Sequence, residues 1–325
     1  MQRIDQSKKK QYAFSSQAEP VLRVDEGEEF VVETVDALGN RIKTAKDLPV
    51  PEVLGDLLAA SPMKANFLSG PIYVKNVQKG DVLAVEILDI IPADQGAHFI
   101  IPDFGPLSDS VKYSECRGPF TSIIKHTKGP SGTTSDGKAV LPTGDTWNLD
   151  PHIGTIGVAP EWEYLASAMN QGPFGGNLDS RDICKGSTVF FPVFTEGGLL
   201  FLGDVHAGMG DTEFSGVADE CSAEVKLSCR VIKKKSIPFV RVEKKESIIQ
   251  LNSFRPLEEA VKQAMLWMMD WLAEDYGRNH RDAYVVLSTC PKVRVNTYQM
   301  VHNAGKLQYT VGIEFPKEHL RPQRS

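Results

Sequence analysis

The chain has 325 residues, enough for about two domains of ordinary size. Lys plus Arg number 36 against 42 for Asp plus Glu, a formal charge of −6, which argues against a nucleic-acid binder because such a protein needs a basic face to displace counterions. With 41% hydrophobic and 24% charged residues the composition is that of an ordinary globular protein and excludes disorder, collagen-like repeats and coiled coil.

Residues 1–20 are polar, carry Lys8, Lys9 and Lys10 in a row, and lead into no apolar stretch, so they read as neither signal peptide nor anchor. Two short strands follow, Pro20–Val24 and Glu29–Val35, closed by a turn at Asp36–Asn40. A mixed, Pro-bearing segment runs from Lys46 to Ala65. The Lys79-Gly80-Asp81 turn then opens the β-branched tract Val82–Ile91, which predicts a strand. Residues 92–150 are rich in Pro, Gly, Ser, Asp and Thr and read as loops with irregular strands. Thr188–Val193 and Leu199–Leu202 are short apolar strands, and Glu196-Gly197-Gly198 between them predicts a hairpin.

The longest alternation runs from Glu220 to Ile232. Cys221, Ala223, Val225, Leu227, Cys229 and Val231 fall on one face, with Glu220, Ser222, Glu224, Lys226, Ser228 and Arg230 on the wet one. One strong helix begins near Pro256 and ends at Gly277. Leu257, Ala260, Val261, Ala264, Met265, Met268, Trp271 and Leu272 hold its helical spacing, which suits packing against a sheet. Ala283–Ser288 and Tyr309–Glu314 read as later strands, and Pro316–Ser325 as a polar tail. The fold class is therefore α+β and predominantly β, with a β-rich body over residues 1–250 and a helix-plus-strand part over 251–325. The longest apolar tracts are broken by Glu86, Asp89, Pro192 and Glu196, so no membrane span is expected and the reading is a soluble, cytoplasmic protein. Five cysteines without a CxxC read as buried free thiols, with Cys184 the best candidate should one be a nucleophile.

The densest chemistry is Gly203-Asp-Val-His-Ala-Gly-Met-Gly-Asp-Thr-Glu213, directly after an apolar strand. Asp204 and His206 are two apart and point the same way on an extended chain. Asp211 and Glu213 repeat that spacing after Gly208 and Gly210, which allow a reversal. Carboxylates brought this close repel unless a cation or a shared proton lies among them. Mixed imidazole and carboxylate donors suit Zn, Mn or Fe better than Ca. The alternative is a set of solvated acids in a hairpin loop. A second constellation is Gly172-Pro-Phe-Gly-Gly-Asn-Leu-Asp179, where Asn177 and Asp179 share a strand phase and could add oxygen ligands. A third is Pro151-His-Ile-Gly-Thr-Ile-Gly-Val-Ala-Pro160, whose glycines could present backbone N–H groups to an oxyanion. His152 within it reads as structural rather than ligating. No GxSxG elbow, Walker A loop or dinucleotide fingerprint occurs.

These segments, with Gly70–Asp89 before them, resemble the acetamidase/formamidase family in content and order. The matching pieces are the Gly-Pro-Ile-Tyr-Val start at Gly70, Gly154–Pro160, Gly175-Gly-Asn-Leu-Asp179, and Gly203–Glu213 with its Gly-Asp-x-His-Ala-x-x-Gly-Asp-x-Glu pattern. The chain departs from it at Lys79, Val205, Met209 and Thr212, where the family often has Pro, Gly, Gln and Gly. The resemblance implies hydrolysis of small linear amides to ammonia and a carboxylate. It also implies a β-sandwich and β-barrel body with a smaller α/β C-terminal part, a homo-oligomer and a bound divalent metal.

Joined to the residues, this gives a specific expectation. His206, Asp204 and Asp179, helped by Asn177, hold the metal, with Zn first and Mn or Ca as alternatives. Glu213, or else Asp211, moves the proton. Backbone and side-chain groups at Gly154, Thr155, Gly175 and Gly176 bind substrate or oxyanion. Two rivals remain open at this point: a cupin-like metal isomerase or decarboxylase, and a non-catalytic β-rich module whose acidic loop holds a structural cation.

Overall fold

Most of the β-branched and alternating segments pair as expected, and they do so in two large sheets. The structure is a computed structural model that describes residues 1–6, 10–60, 64–161, 164–302, 305 and 307–320. Lys8 and Lys9 and the end of the polar tail lie outside the described residues. One sheet has nine strands. In spatial order they are Gln2–Ile4, Phe30–Thr34, Ala223–Ile232, Val82–Pro92, Thr188–Pro192, Arg241–Glu243, Ser247–Phe254, Tyr309–Pro316 and Arg294–Gln299. The other has eleven and carries His152–Val158 flanked by Leu200–His206 and Gly175–Asn177. Phe30, Val32, Leu83 and Val85 of the first sheet share one apolar core with Ile72, Ile153, Ile156 and Phe201 of the second. The fold is thus predominantly β with a small helical part, as the sequence implies.

The helix Leu257–Glu274 buries Ala260, Ala264, Met268, Trp271 and Leu272 against Ile248, Val311, Ile313 and Phe315. Its spacing therefore serves packing on the nine-stranded sheet. That sheet is continuous across residue 250: the expected boundary falls inside Ser247–Phe254, which pairs with Arg241–Glu243 on one side and Tyr309–Pro316 on the other. Among the described residues no helix is long and apolar enough to cross a membrane.

Three local expectations are corrected. The two apolar strands around Gly197 do not form a hairpin: Thr188–Pro192 joins the nine-stranded sheet and Leu200–His206 the eleven-stranded one. The Glu220–Ile232 alternation breaks at Ser222, so Glu220–Cys221 pairs beside Leu200–His206 while Ala223–Ile232 crosses to the other sheet. Ala283–Ser288 lies in a helix, His280–Thr289, capped by the Asn279 side chain, which accepts from the Asp282 amide. Its apolar content misleads because Tyr284 and Val285 face solvent, and only Ala283 and Leu287, four apart, are buried. The Pro-bearing segment holds a short helix, Pro51–Leu58, with Pro at its first turn. The 92–150 region contains the strands Gln95–Ile100, Phe120–Thr127, Lys138–Val140 and Thr146–Asn148, which pair in succession along the edge of the eleven-stranded sheet.

Candidate metal and catalytic site

Three of the sequence segments singled out for chemistry lie side by side. His152–Val158 is the middle strand, with His152 opposite His206 and Thr155 opposite both Asn177 and Gly203. Asp204 and His206 project from the same face two residues apart, and Asp179 enters just past the end of the third strand. The Leu178 and Asp179 amides both donate to the Gly154 carbonyl at 3.0 Å, which fixes that entry. Gly154 is required by space. A Cβ there would lie 2.7 Å from the Asp204 carbonyl oxygen, 2.8 Å from Asp179 Oδ1 and 2.8 Å from His206 Cε1.

The result is a buried group of Asp179, Asp204, His206, Glu213 and Glu220. His206 Nε2 lies 3.7 Å from Asp204 Oδ1, 3.5 Å from Glu220 Oε1 and 4.0 Å from Asp179 Oδ1. Ligand atoms of Asp179, Asp204 and His206 fall within 4.8 Å of one another, and so do those of His206, Glu213 and Glu220. Four carboxylates thus surround one imidazole.

The outer contacts aim these groups. His152 Nδ1 sits 3.1 Å from the Asp150 carbonyl, which can only accept, so that nitrogen carries the proton. His152 is held neutral, its pKa pushed down to about 3 by burial and then by His206. Its Nε2 therefore accepts from His206 Nδ1 at 3.2 Å, and His206 Nε2 is turned toward the carboxylates. Asn66 Nδ2 donates to Asp204 Oδ2 at 2.7 Å and to Asn177 Oδ1 at 2.8 Å. The Thr155 hydroxyl lies 2.9 Å from Asp204 Oδ2 and 2.8 Å from Asn177 Oδ1. Gln299 Nε2 donates to Asp179 Oδ2, and the Gln299 carbonyl accepts from Gln171 at 2.7 Å. The Ala218 amide donates to Glu220 Oε1 at 3.0 Å.

The electrostatics are unbalanced. Burial raises the pKa of Asp179 and of Glu220 well above the usual carboxylate range, and their acidic neighbours add to it. Burial pushes Glu213 up to about 7. Burial alone would lower His206, but Glu220, Asp204 and Asp179 outweigh it and hold the imidazole well above its ordinary value. Asp179 Oδ1 and Glu220 Oε2 are buried and have no hydrogen-bond partner among the described residues. A buried carboxylate oxygen left this way is costly unless a proton or a cation meets it. The donor set, imidazole nitrogen with carboxylate oxygens, is the set a zinc- or manganese-like ion takes. The residues present therefore fit a divalent metal.

Several expected residues do other work. Asn177 lines the cavity, but its amide oxygen accepts from Asn66 and faces the Thr155 hydroxyl, the same two residues that hold Asp204. Asp211 does not converge: it lies at the surface, where Arg181 Nη2 holds it at 2.7 Å. Gly154, Thr155, Gly175 and Gly176 do not line the cavity over the group. Gly175 and Gly176 instead admit close backbone approach, since a Cβ would strike the Ile156 and Asn170 carbonyls respectively. Cys184 is half-buried and outside the cavity lining, and burial pushes its thiol up to about 11, the wrong direction for a nucleophile.

Three participants were hidden in the sequence. Glu220 reads as a wet-face residue of one long strand and turns inward only because that strand breaks at Ser222. Asn66 and Gln299 belong to none of the matching segments. The cavity itself measures about 230 Å³ and is lined by Asn66, Asn177, Asp179, Asp204, His206, Glu213, Glu220 and Gln299 together with apolar side chains.

Comparison with known proteins identifies the family. The model of the acetamidase/formamidase family matches residues 2–172 and 169–311. An acetamidase from Yersinia enterocolitica superposes with a TM-score of 0.83 at 32% identity, over 95% of this chain and 89% of that one. An acetamidase from Bacillus halodurans gives 0.82 at 28% identity, over 95% and 96%. A formamidase from Methylophilus methylotrophus is 25% identical over 239 residues, 60% of this chain and 57% of the relative. The chain spans between 49% and 61% of the length of the curated relatives it matches.

Proposed function

The chain belongs to the acetamidase/formamidase family, and on that premise we propose that it is a metal-dependent hydrolase of the C–N bond of small amides, releasing ammonia and a carboxylate. The observation that carries the metal is the pair of orphaned buried oxygens, Asp179 Oδ1 and Glu220 Oε2, beside an imidazole whose Nε2 lies 4.0 Å from the first and 3.5 Å from the other carboxylate oxygen of Glu220. His206, Asp204, Asp179 and Glu220 would hold the ion. A divalent cation held there would polarise an amide carbonyl and make bound water more acidic.

The protein's own groups do the rest. Glu213, with a pKa near 7, takes a proton from the attacking water and returns it to the departing amine, so that amide and water leave as acid and ammonia. His152, Thr155, Asn66 and Gln299 keep the ligating groups in place. Activity should rise with pH as Glu213 loses its proton. Five unpaired cysteines suit a reducing, cytoplasmic setting, and exposed Val111, Tyr164, Leu165 and Phe214 suit a homo-oligomer.

Two variants test the assignment together. His206→Ala should lose metal by elemental analysis and lower ammonia release by roughly a thousandfold or more. Glu213→Gln should keep its metal and lower kcat by about 10²- to 10⁴-fold. Undiminished ammonia release from metal-free protein refutes the metal-dependent reading.

A further inference from the structure

Two glutamines from different sheets meet behind Asp179. Gln171 opens the edge strand Gln171–Gly172, which pairs with Gly175–Asn177 in the eleven-stranded sheet, and it is half-buried and outside the cavity lining. Gln299 closes Arg294–Gln299, the edge strand of the nine-stranded sheet, and is fully buried. Gln171 Nε2 lies 2.7 Å from Gln299 Oε1.

A side-chain amide can be turned end for end, so its direction has to come from its neighbours. Here it comes from the main chain. The Gln308 N–H can only donate, and it meets Gln171 Oε1 at 3.2 Å, while the Gln308 carbonyl can only accept and lies 3.5 Å from Gln171 Nε2. Gln171 therefore turns its N–H groups toward Gln299. Gln299 must answer with Oε1, which leaves its Nε2 as the end that donates to Asp179 Oδ2. With Oδ2 taken by a donor, the oxygen left over is Oδ1, which is buried, has no hydrogen-bond partner among the described residues and lies 4.0 Å from His206 Nε2. A reversed Gln299 would set its carbonyl oxygen against Asp179 Oδ2.

We propose that Gln171 is a positioning residue that, through Gln299, turns Asp179 so that Oδ1 is the oxygen offered to the cation. The inference rests on the metal-dependent reading above and adds a residue to it. This relay and simple charge predict opposite effects at position 171. By charge alone, a glutamate there would strengthen cation binding and a lysine would weaken it. A glutamate carboxylate, however, only accepts: it satisfies the Gln308 amide but draws the N–H groups of Gln299 away from Asp179. A lysine only donates, and keeps Gln299 Oε1 engaged. Methionine, of similar length, does neither.

The test is a competition titration of Zn²⁺ against a chromophoric chelator at pH 8, with the wild-type chain and the variants Gln171→Glu, Gln171→Met and Gln171→Lys. Gln171→Glu should lose Zn²⁺ affinity by about tenfold or more. Gln171→Met should lose less, and Gln171→Lys should bind at least as tightly as the methionine variant. Should the glutamate variant not fold, the order of lysine and methionine decides alone. Glutamate at or above methionine, or lysine below it, overturns the inference and leaves the metal-dependent reading standing, because the wild-type chain still takes up Zn²⁺. A wild-type chain that binds no Zn²⁺ overturns both.

Discussion

Asp179 and Asp182 are three residues apart and end in opposite circumstances. Asp182 has both oxygens satisfied: Lys244 Nζ bonds Oδ1 and the Tyr298 hydroxyl donates to Oδ2, each at 2.5 Å. Charge is balanced there, and Lys244 is held above its ordinary pKa by that partner against the opposing effect of burial. Asp179 sits with three further carboxylates around one imidazole, one of its oxygens unpartnered and its pKa driven up by burial. The first arrangement is structural cement. The second is held together by the fold at a cost that only a proton or a cation relieves, and that excess is what marks a site.

Metal removal combined with pH should give the largest effect. A carboxylate whose folded pKa is raised binds its proton more tightly in the native state. Its stabilising contribution is complete below the ordinary carboxylate value and disappears as pH climbs through the folded one. His206, also raised, has the same sign. Metal-free protein should therefore lose stability from about pH 4.5 upward, through pH 7 for Glu213, with Asp179 and Glu220 adding in the same direction, by on the order of a few kcal/mol. Metal-loaded protein should lose far less, so the gap between the two melting temperatures should widen from pH 5 to pH 8. A gap that stays constant would mean the orphaned charges are not what the cation meets.

The two regions should also respond differently to loss of one partner. His152→Ala removes the acceptor of His206 Nδ1 and should weaken metal affinity by about 10- to 100-fold in a competition titration. Tyr298→Phe leaves Asp182 Oδ2 without its donor and should cost about 1–3 kcal/mol in a urea melt, with metal content unchanged. If Tyr298→Phe also released metal, the clusters would be one network and the contrast would fail.

How much of this was legible follows the range of the interactions. Asp204 and His206 could be paired from sequence because a strand repeats every two residues, and Glu213 could be reached by the glycine bend before it. Asp179 was reached as an oxygen donor through the strand phase it shares with Asn177, but no period joins that segment to Asp204 and His206, and only the ordered segment matches put them in one site. Glu220 was masked by an alternation that runs unbroken through the letters while the backbone changes sheets at Ser222. Gln299 arrives from a strand 120 residues after Asp179, the residue it bonds, and no local pattern announces a contact of that span. The same limit explains the false hairpin: a Gly-Gly turn between apolar runs fixes a reversal but not which sheet receives each strand.

Strain is the last point on which the two aspartates differ, and it gives the smallest effect. Asp179, Asp204 and Glu213 all have left-handed backbone, with φ of 46°, 54° and 45°, and Asp182 does not share it. Thr212, beside Glu213, lies there too at φ 74°, and its β-branched side chain makes that conformation costly. The related family often has Gly at this position, which the geometry now accounts for. The Met300 amide donates to the Thr212 carbonyl at 2.9 Å, a bond that survives any side chain. Thr212→Gly should therefore relieve the strain and raise stability by about 1 kcal/mol, read as a higher urea midpoint at unchanged slope. Glu213 should stay in place and metal content should not change. A lower midpoint would show that the threonine side chain holds the turn, and that the strain around the carboxylates is maintained by contacts instead of being imposed by the backbone.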